Sequence, residues 1–391
     1  MKFLSLPLLS ALLHGYIGLR LMPDFMADSL AAWVLAWVLV LSALATPLGL
    51  MAARVVARPS LAHVLTWAGL LFMGLFSSLF VLTFLRDVLL ILLWLANTMF
   101  ESVLPALQAF RAVSAEAVPV LGLLATLLGF WNARRTAAVV RVDVPLAGLP
   151  AALQGFTMVQ ISDVHVGPTI RLPYLRRIVD RVNGLGADLV AITGDLVDGK
   201  VSELGRHVAP LADLQSRYGT FFVTGNHEYY SGAHAWIEEL RRLGLTVLIN
   251  EHVVLTHGGL SGSDLGQGRA DLVLAGVTDF SAHHFDEAHR SDPAVALQGA
   301  PPEAVRVLLA HQPRTAAAAA KAGFDLQLSG HTHGGQFWPW NLFVRFQQPF
   351  TSGLRRLDAL WVYTSRGTGY WGPPKRFGAS SEITVLRLVA A

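Results

Sequence analysis

The stretch FTMVQISDVHVG, residues 156–167, decides the fold. Its first half, Phe156 to Ile161, is a short apolar run and reads as a strand. Its second half sets Asp163 and His165 just past that strand's end. The same arrangement returns further along the chain. Gly194-Asp195, Gly225-Asn226-His227-Glu228, His311 and Gly330-His331-Thr332-His333 each follow an apolar run. Together the five motifs offer nitrogen and oxygen donors without sulfur, the ligand set for a pair of borderline-hard divalent ions.

Outward from this stretch the chain alternates strands and helices. Strands are expected at Leu189–Thr193, Phe221–Thr224, Leu272–Val277, Val305–Ala310, Leu326–Leu328 and Leu360–Thr364. Helices are expected at Leu172–Leu185, Glu203–Ser216, Ala233–Leu243 and Arg314–Ala322. In the first of these, Leu172, Leu175, Ile178, Val179 and Val182 share one face, and Gly244 stops the third. The glycine- and serine-rich run Gly258–Gly268 reads as a flexible surface loop. In open α/β sheets, ligands gather at the carboxyl ends of strands. The five motifs all sit there, so segments distant in sequence converge on one edge.

Upstream the composition changes. Of the whole chain 53% is hydrophobic and only 15% charged, too apolar for a wholly soluble protein. The excess lies before about Arg134. Uncharged runs cover Phe3–Leu19, Ala31–Ala53, Pro59–Leu85 and Ala117–Ala133. Each approaches the ~17–25 residues needed to cross ~30 Å of hydrocarbon. Val88–Phe100 is shorter; after the Arg86-Asp87 break it extends the third helix or lies at the interface. A cleaved signal peptide is the alternative for the first run. No clear small-residue cleavage site follows it, and the adjacent spans favour retention. Lys2, Arg54, Arg58, Arg134, Arg135 and Arg141 fall on one side, which puts both termini in the cytoplasm by the positive-inside rule. His14 and His63 lie near span ends and read as neutral groups reaching the headgroups. The net charge of +3 makes no case for nucleic-acid binding, and the absence of cysteine excludes disulfides and thiolate metal sites.

The order Asp-x-His, Gly-Asp, Gly-Asn-His, His, Gly-His-x-His resembles that of the calcineurin-like metallophosphoesterases, from about Val142 to the end. Gly334-Gly335-Gln336, Ser365-Arg366-Gly367-Thr368-Gly369 and Gly378–Leu388 are similar to the membrane-associated bacterial subgroup. The resemblance implies an α/β fold: two sheets packed face to face between helices, with two divalent ions (Mn, Fe or Zn) at the strand ends. It implies that Asp163, His165 and His333 hold one ion, that Asn226, His311 and His331 hold the other, and that Asp195 bridges them. His227 would face the substrate phosphate and protonate the leaving oxygen or stabilise equatorial charge. Glu228 stands where the family often has Asp, and would orient His227 by accepting its other N–H. A paired-metal site lowers the pKa of water from ~15.7 towards ~7 and clamps phosphoryl oxygens. Arg366 follows a strand between turn residues; it would bind a substrate phosphate bidentately, or be a surface arginine in a tight loop.

Taken singly, each motif has a plainer reading. Asp-x-His is commonly a surface loop, and Gly-Asn-His a turn. His283, His284 and His289 match no motif and read as solvent-exposed. All five motifs, in order and at strand ends, point to metal chemistry.

The expected organisation is therefore an all-α transmembrane region of about four helices at 1–135, followed by a metallophosphoesterase domain at 142–391. The expected function is hydrolysis of a phosphodiester or pyrophosphate, lipid-linked or not, by an enzyme held in the cell membrane with its catalytic domain cytoplasmic. Its partners would be the phosphate ester and membrane lipids. Two alternatives stand: a soluble substrate with the helices as anchor only, or a scaffold or channel with an inactive phosphoesterase-like domain. The spacer from Arg134 to about Gly155 is short, at ~3.3–3.6 Å per residue. Phe337-Trp338-Pro339-Trp340-Asn341-Leu342-Phe343 follows the metal histidines. It would form an apolar wall or dip into the interface, where Trp is favoured, or else be a packed loop with buried tryptophans.

Overall fold

Apolar runs broken by few polar residues fold as long helices, and that is how the chain begins. A computed structural model describes residues 2–25, 29–99, 104–258 and 268–391. Residues Met1–Asn132 with Gly372–Phe377 form one unit, and Ala133–Trp371 with Gly378–Ala391 form another. The first contains α1 (Lys2–Leu21), α2 (Leu30–Val55), α3 (Pro59–Met99) and all but the last two residues of α4 (Leu104–Arg134). Among the described residues these are four helices long and apolar enough to cross a membrane.

Small residues let α2 and α3 approach closely. A Cβ on Gly49 would lie 2.7 Å from the Gly69 Cα, the kind of contact that replaces hydrophobic driving force in lipid. Ile17, Leu21, Leu35, Leu39, Leu79 and Val118 pack at the centre. Of the two readings for the run after Arg86-Asp87, the structure shows the extension: α3 continues through Met99. The Arg86 guanidinium is buried. It donates to Ser114 Oγ at 2.8 Å, to the Arg20 carbonyl at 2.9 Å and to the Asp24 carboxylate. Asp87 accepts from Tyr16 and Arg20. Charges satisfied in this way no longer interrupt a helix. His14 also departs from expectation. It is buried, with Nδ1 2.8 Å from the Ser10 carbonyl and Nε2 2.8 Å from Ser42 Oγ. It joins two helices rather than reaching for headgroups. The returning segment belongs to this unit through Lys375, whose Nζ donates to the Gly74 carbonyl at 2.9 Å.

The second unit is an α/β sandwich. In chain order its strands are β1 (Ala138–Leu146), β2 (Thr157–Ile161), β3 (Leu189–Thr193), β4 (Thr220–Val223), β5 (Thr246–Val247), β6 (Glu251–His257), β7 (Ala270–Gly276), β8 (Val305–Leu309), β9 (Leu326–Ser329), β10 (Gly353–Leu357), β11 (Leu360–Thr364) and β12 (Glu382–Ala390). One sheet runs β1-β12-β2-β3-β4-β5 and the other β10-β11-β9-β8-β7-β6. The helices are α5 (Leu172–Asn183), α6 (Val201–Val208), α7 (Asn226–Ser231), α8 (Ala233–Arg242), α9 (Pro293–Ala296) and α10 (Ala316–Ala322).

Alternation along the strands builds the layers. Met158, Leu189, Ala191, Phe221 and Val223 of one sheet pack with Leu274, Val307, Leu326 and Tyr363 of the other. Val159, Ile161, Val190, Ile192 and Phe222 point the opposite way and pack with Ile178, Val208 and Trp236 of the covering helices. Ala275, Leu308 and Val362 do the same against Ala316 and Ala319. Both faces of β2, β3 and β4 are thus covered, which is why they read as nearly continuous apolar runs. Leu172 opens α5 but stays 38% exposed, outside the face that its four partners bury. The helix expected over Glu203–Ser216 ends at Val208, and Pro210 turns the chain into a 3-10 segment, Ala209–Asp213. The loop read over 258–268 falls almost wholly outside the described residues.

Candidate metal centre

Five strands with parallel neighbours release the donors at one end of the sandwich. Asp163 and His165 follow β2, Asp195 follows β3, and Asn226 and His227 open α7 after β4. His311 follows β8, and His331 and His333 follow β9. The loops are sharply bent: Asp163, His165, Asp195, His331 and His333 have φ of 53°, 55°, 52°, 69° and 52°. Backbone bonds tie the loops together, from Asp163 N to the Gly194 carbonyl at 3.0 Å and from His165 N to the Asp195 carbonyl at 3.1 Å. Two glycines are required by space alone. A Cβ on Gly225 would lie 2.2 Å from Asp195 Oδ1, and one on Gly330 would lie 2.2 Å from Asp163 Oδ2.

The expected donors meet in overlapping groups. Asp163, His165 and His333 form one, Asp195, His311 and His331 another, and His165, Asp195 and His227 a third, with ligand atoms within 4.8 Å in each. His311 Nδ1 lies 2.8 Å from the Thr193 carbonyl, which turns Nε2 towards Asp195 Oδ2 at 3.1 Å. His331 Nδ1 is 3.1 Å from the same Nε2. His165 Nε2 is 3.0 Å from His333 Nε2, and His333 Nε2 is 3.5 Å from Asp163 Oδ1. Asn226 is buried, and its Oδ1 has no hydrogen-bond partner. A buried amide oxygen without a donor is costly. Its chain neighbours Gly225 and His227 both lie against Asp195 Oδ1, and with the converging imidazoles and carboxylates the donor set fits divalent cations.

Electrostatics follow from burial and crowding. Burial acts to raise the Asp195 carboxyl, but the charges of His311, His227 and His165 outweigh it and hold it well below the usual range. Burial pushes Asp163 up. Burial and the neighbouring His311 charge bring His331 down to about 3, leaving the neutral imidazole that ligates metals.

Glu228 does not orient His227. Its fully buried carboxylate accepts the N–H groups of Asp195, Leu196, Val197 and Gly225 at 3.0, 2.7, 3.3 and 2.6 Å. Its long arm reaches beneath the loop after β3 and holds that backbone in place. Burial and the Asp195 charge raise its pKa to about 7. The carboxylate that does hold His227 is Asp198, which the sequence reading missed. Asp198 Oδ1 lies 2.6 Å from His227 Nδ1 and 2.9 Å from His165 Nδ1. Burial acts to raise it, but the two imidazoles prevail and set it at about 2. The available signal was a second carboxylate three residues beyond Gly194-Asp195, in the same loop after a strand.

The His227 side chain is 17% exposed, and Tyr230 and Trp371 flank its ring at 5.2 and 5.7 Å. Arg366 is no loose surface residue, because its Nε pairs with the buried Glu382 carboxylate at 2.6 Å. It packs beside the His333 loop, where a Cβ on Gly334 would come within 2.9 Å of its Cγ. The 337–343 segment is not a buried core: Trp338, Trp340, Leu342 and Phe343 are all exposed. Of the three unmatched histidines, His284 is exposed, but His283 and His289 are partly buried, and His289 Nδ1 lies 2.8 Å from the Tyr229 hydroxyl.

The calcineurin-like phosphoesterase family matches residues 156–335. A Bos taurus transmembrane protein with metallophosphoesterase domain is 40% identical over 283 residues, 70% of this chain and 63% of the relative. Its Danio rerio counterpart is 38% identical over 268 residues, 67% of this chain and 60% of the relative. An uncharacterised metallophosphoesterase of Campylobacter jejuni is 35% identical over 265 residues, 66% of this chain and 64% of the relative. The aligned part spans less than two thirds of each of these relatives.

Proposed function

Because its carboxy-terminal unit carries a calcineurin-like metallophosphoesterase domain, we propose that this chain is a membrane-anchored, metal-dependent hydrolase of a phosphodiester or pyrophosphate. The observation that carries this reading is the meeting of seven donors in three overlapping groups, two of which share Asp195, with the buried Asn226 oxygen left without a partner. Asp163, His165 and His333 would hold one divalent ion, Asn226, His311 and His331 would hold a second, and Asp195 would serve both. A bound pair of Mn, Fe or Zn supplies hydroxide near neutral pH and offsets phosphoryl charge. His227 donates a proton to the leaving oxygen, and Asp198 keeps its ring in position through Nδ1. Purified protein in detergent should bind metal and turn over an aryl phosphodiester. Metal binding without turnover on any phosphate ester would favour an inactive scaffold instead.

Asp198→Asn tests the shared carboxylate. Partners that orient metal-bound imidazoles are worth ~10–100-fold in affinity or activity. The variant should lose that much in metal affinity, measured by competition with a chelator, because it loosens His165. An unchanged affinity would restrict Asp198 to His227.

We place the substrate's apolar portion along the exposed aromatic segment. Trp338, Trp340, Leu342, Phe343 and Phe346 are 39–75% exposed, a contiguous apolar surface of the kind that marks lipid or ligand contact. Trp338→Ala with Trp340→Ala should lower activity on lipid-linked phosphates at least ~10-fold more than on a small soluble ester, as expected when about 1.4 kcal/mol or more of apolar contact is lost. Equal losses on both would favour a soluble substrate. The domain is read as cytoplasmic from the loop arginines. A reporter fused after Ala391 that works only outside the cytoplasm would reverse that orientation.

A further inference from the structure

Apart from the converging loops, His234, Asp286 and His289 form another group of nitrogen and oxygen donors, one atom from each lying within 4.8 Å of the others. His234 sits in the first turn of α8, and Asp286 and His289 bracket the 3-10 segment Glu287–His289. His234 Nε2 is 3.1 Å from Asp286 Oδ2. The other carboxylate oxygen, Oδ1, accepts the Ala288 N–H at 3.0 Å, which fixes the carboxylate and turns Oδ2 to His234. His289 Nδ1 is engaged by the Tyr229 hydroxyl at 2.8 Å, which leaves Nε2 as the nitrogen to ligate. The two rings are 4.9 Å apart and inclined at 56°, and so are not stacked on each other.

A surface ion pair between His234 and Asp286 is the plainer reading. It does not account for His289, brought to the same point with its far nitrogen already held. A hydrogen bond to the remote ring nitrogen is the arrangement that orients metal-bound histidines. Two imidazoles and one carboxylate form a zinc donor set with one position left for water. Bonds of ~2.0–2.2 Å put tetrahedral ligand atoms about 3.3–3.6 Å apart, a small adjustment from a group whose atoms lie within 4.8 Å of one another.

We propose that His234, Asp286 and His289 bind one zinc ion that clamps α8 to the segment around residues 286–289. Through Tyr229 the clamp also braces α7, the helix that carries Asn226 and His227. The site stands independently of the phosphoesterase reading, because none of its ligands belongs to the converging loops. His234 is 70% exposed as a side chain, so the ion exchanges with solvent and His234→Ala leaves the fold intact.

The test uses the full chain in detergent, stripped with EDTA and dialysed against zinc. Elemental analysis should find one zinc fewer per chain in His234→Ala than in the parent. The same difference should persist when both proteins also carry Asp195→Ala, which impairs the other centre. In the Asp195→Ala background zinc should raise the melting temperature, and adding His234→Ala should abolish the rise. Equal zinc contents, or a rise that survives His234→Ala, would overturn the proposal.

Discussion

Asp195→Ala should empty both halves of the metal centre and lower phosphodiester hydrolysis by on the order of 10⁴-fold or more. Removing one preorganised electrostatic group commonly costs ~10²–10³-fold, and Asp195 serves two donor groups at once. Its Oδ2 lies 3.1 Å from His311 Nε2 and 3.9 Å from His165 Nε2. Its Oδ1 also accepts the His227 N–H at 2.9 Å. Asp195→Asn keeps that acceptor and the side-chain shape, and should still lose most of the rate. His333→Ala should deplete mainly one ion. Elemental analysis that finds at most one ion in metal-replete parent, with the zinc of the His234 group subtracted, would refute the bridging role.

His227→Ala should keep its metals and lose ~10²–10⁴-fold in turnover, the usual worth of general acid–base help. The loss should be largest for esters with poor leaving groups, because a good leaving oxygen needs no proton. An equal loss across leaving groups would make His227 a stabiliser of phosphoryl charge. A fall in metal content would move it among the ligands, where its Nε2, 4.0 Å from Asp195 Oδ2, also allows it to stand.

The donor loops were legible because each follows a short apolar strand, and a strand buried on both faces leaves a strong trace. The glycines of the same motifs are explained by space, as the missing Cβ at Gly225 and Gly330 shows. Asp198 was not legible, because its partners lie 29 and 33 residues away and depend on how two loops fold back. Glu228 looked like a partner of His227 because they adjoin in sequence, yet successive residues in a helical turn point in different directions. The strand list lacked β1, β5, β6, β10 and β12. β5 has two residues. β6 and β10 are sheet edges, as is β1, which keeps exposed positions along one face. β12 lies inside its sheet but carries Glu382 and Arg387, and it pairs with β2 from more than 200 residues away. Arg86-Asp87 left open whether the third helix continues, because sequence shows charges and not the partners that neutralise them.

The left-handed backbone at Asp163, His165, Asp195, His331 and His333 decides when the centre is assembled. Such conformations cost about 1–3 kcal/mol each for residues with side chains. Cross-loop bonds and Glu228 gripping the loop after β3 hold them from within the protein. The share of the ordering penalty that these bonds meet falls on folding. To the extent that these contacts order the loops, metal capture is spared the cost of aiming the ligands.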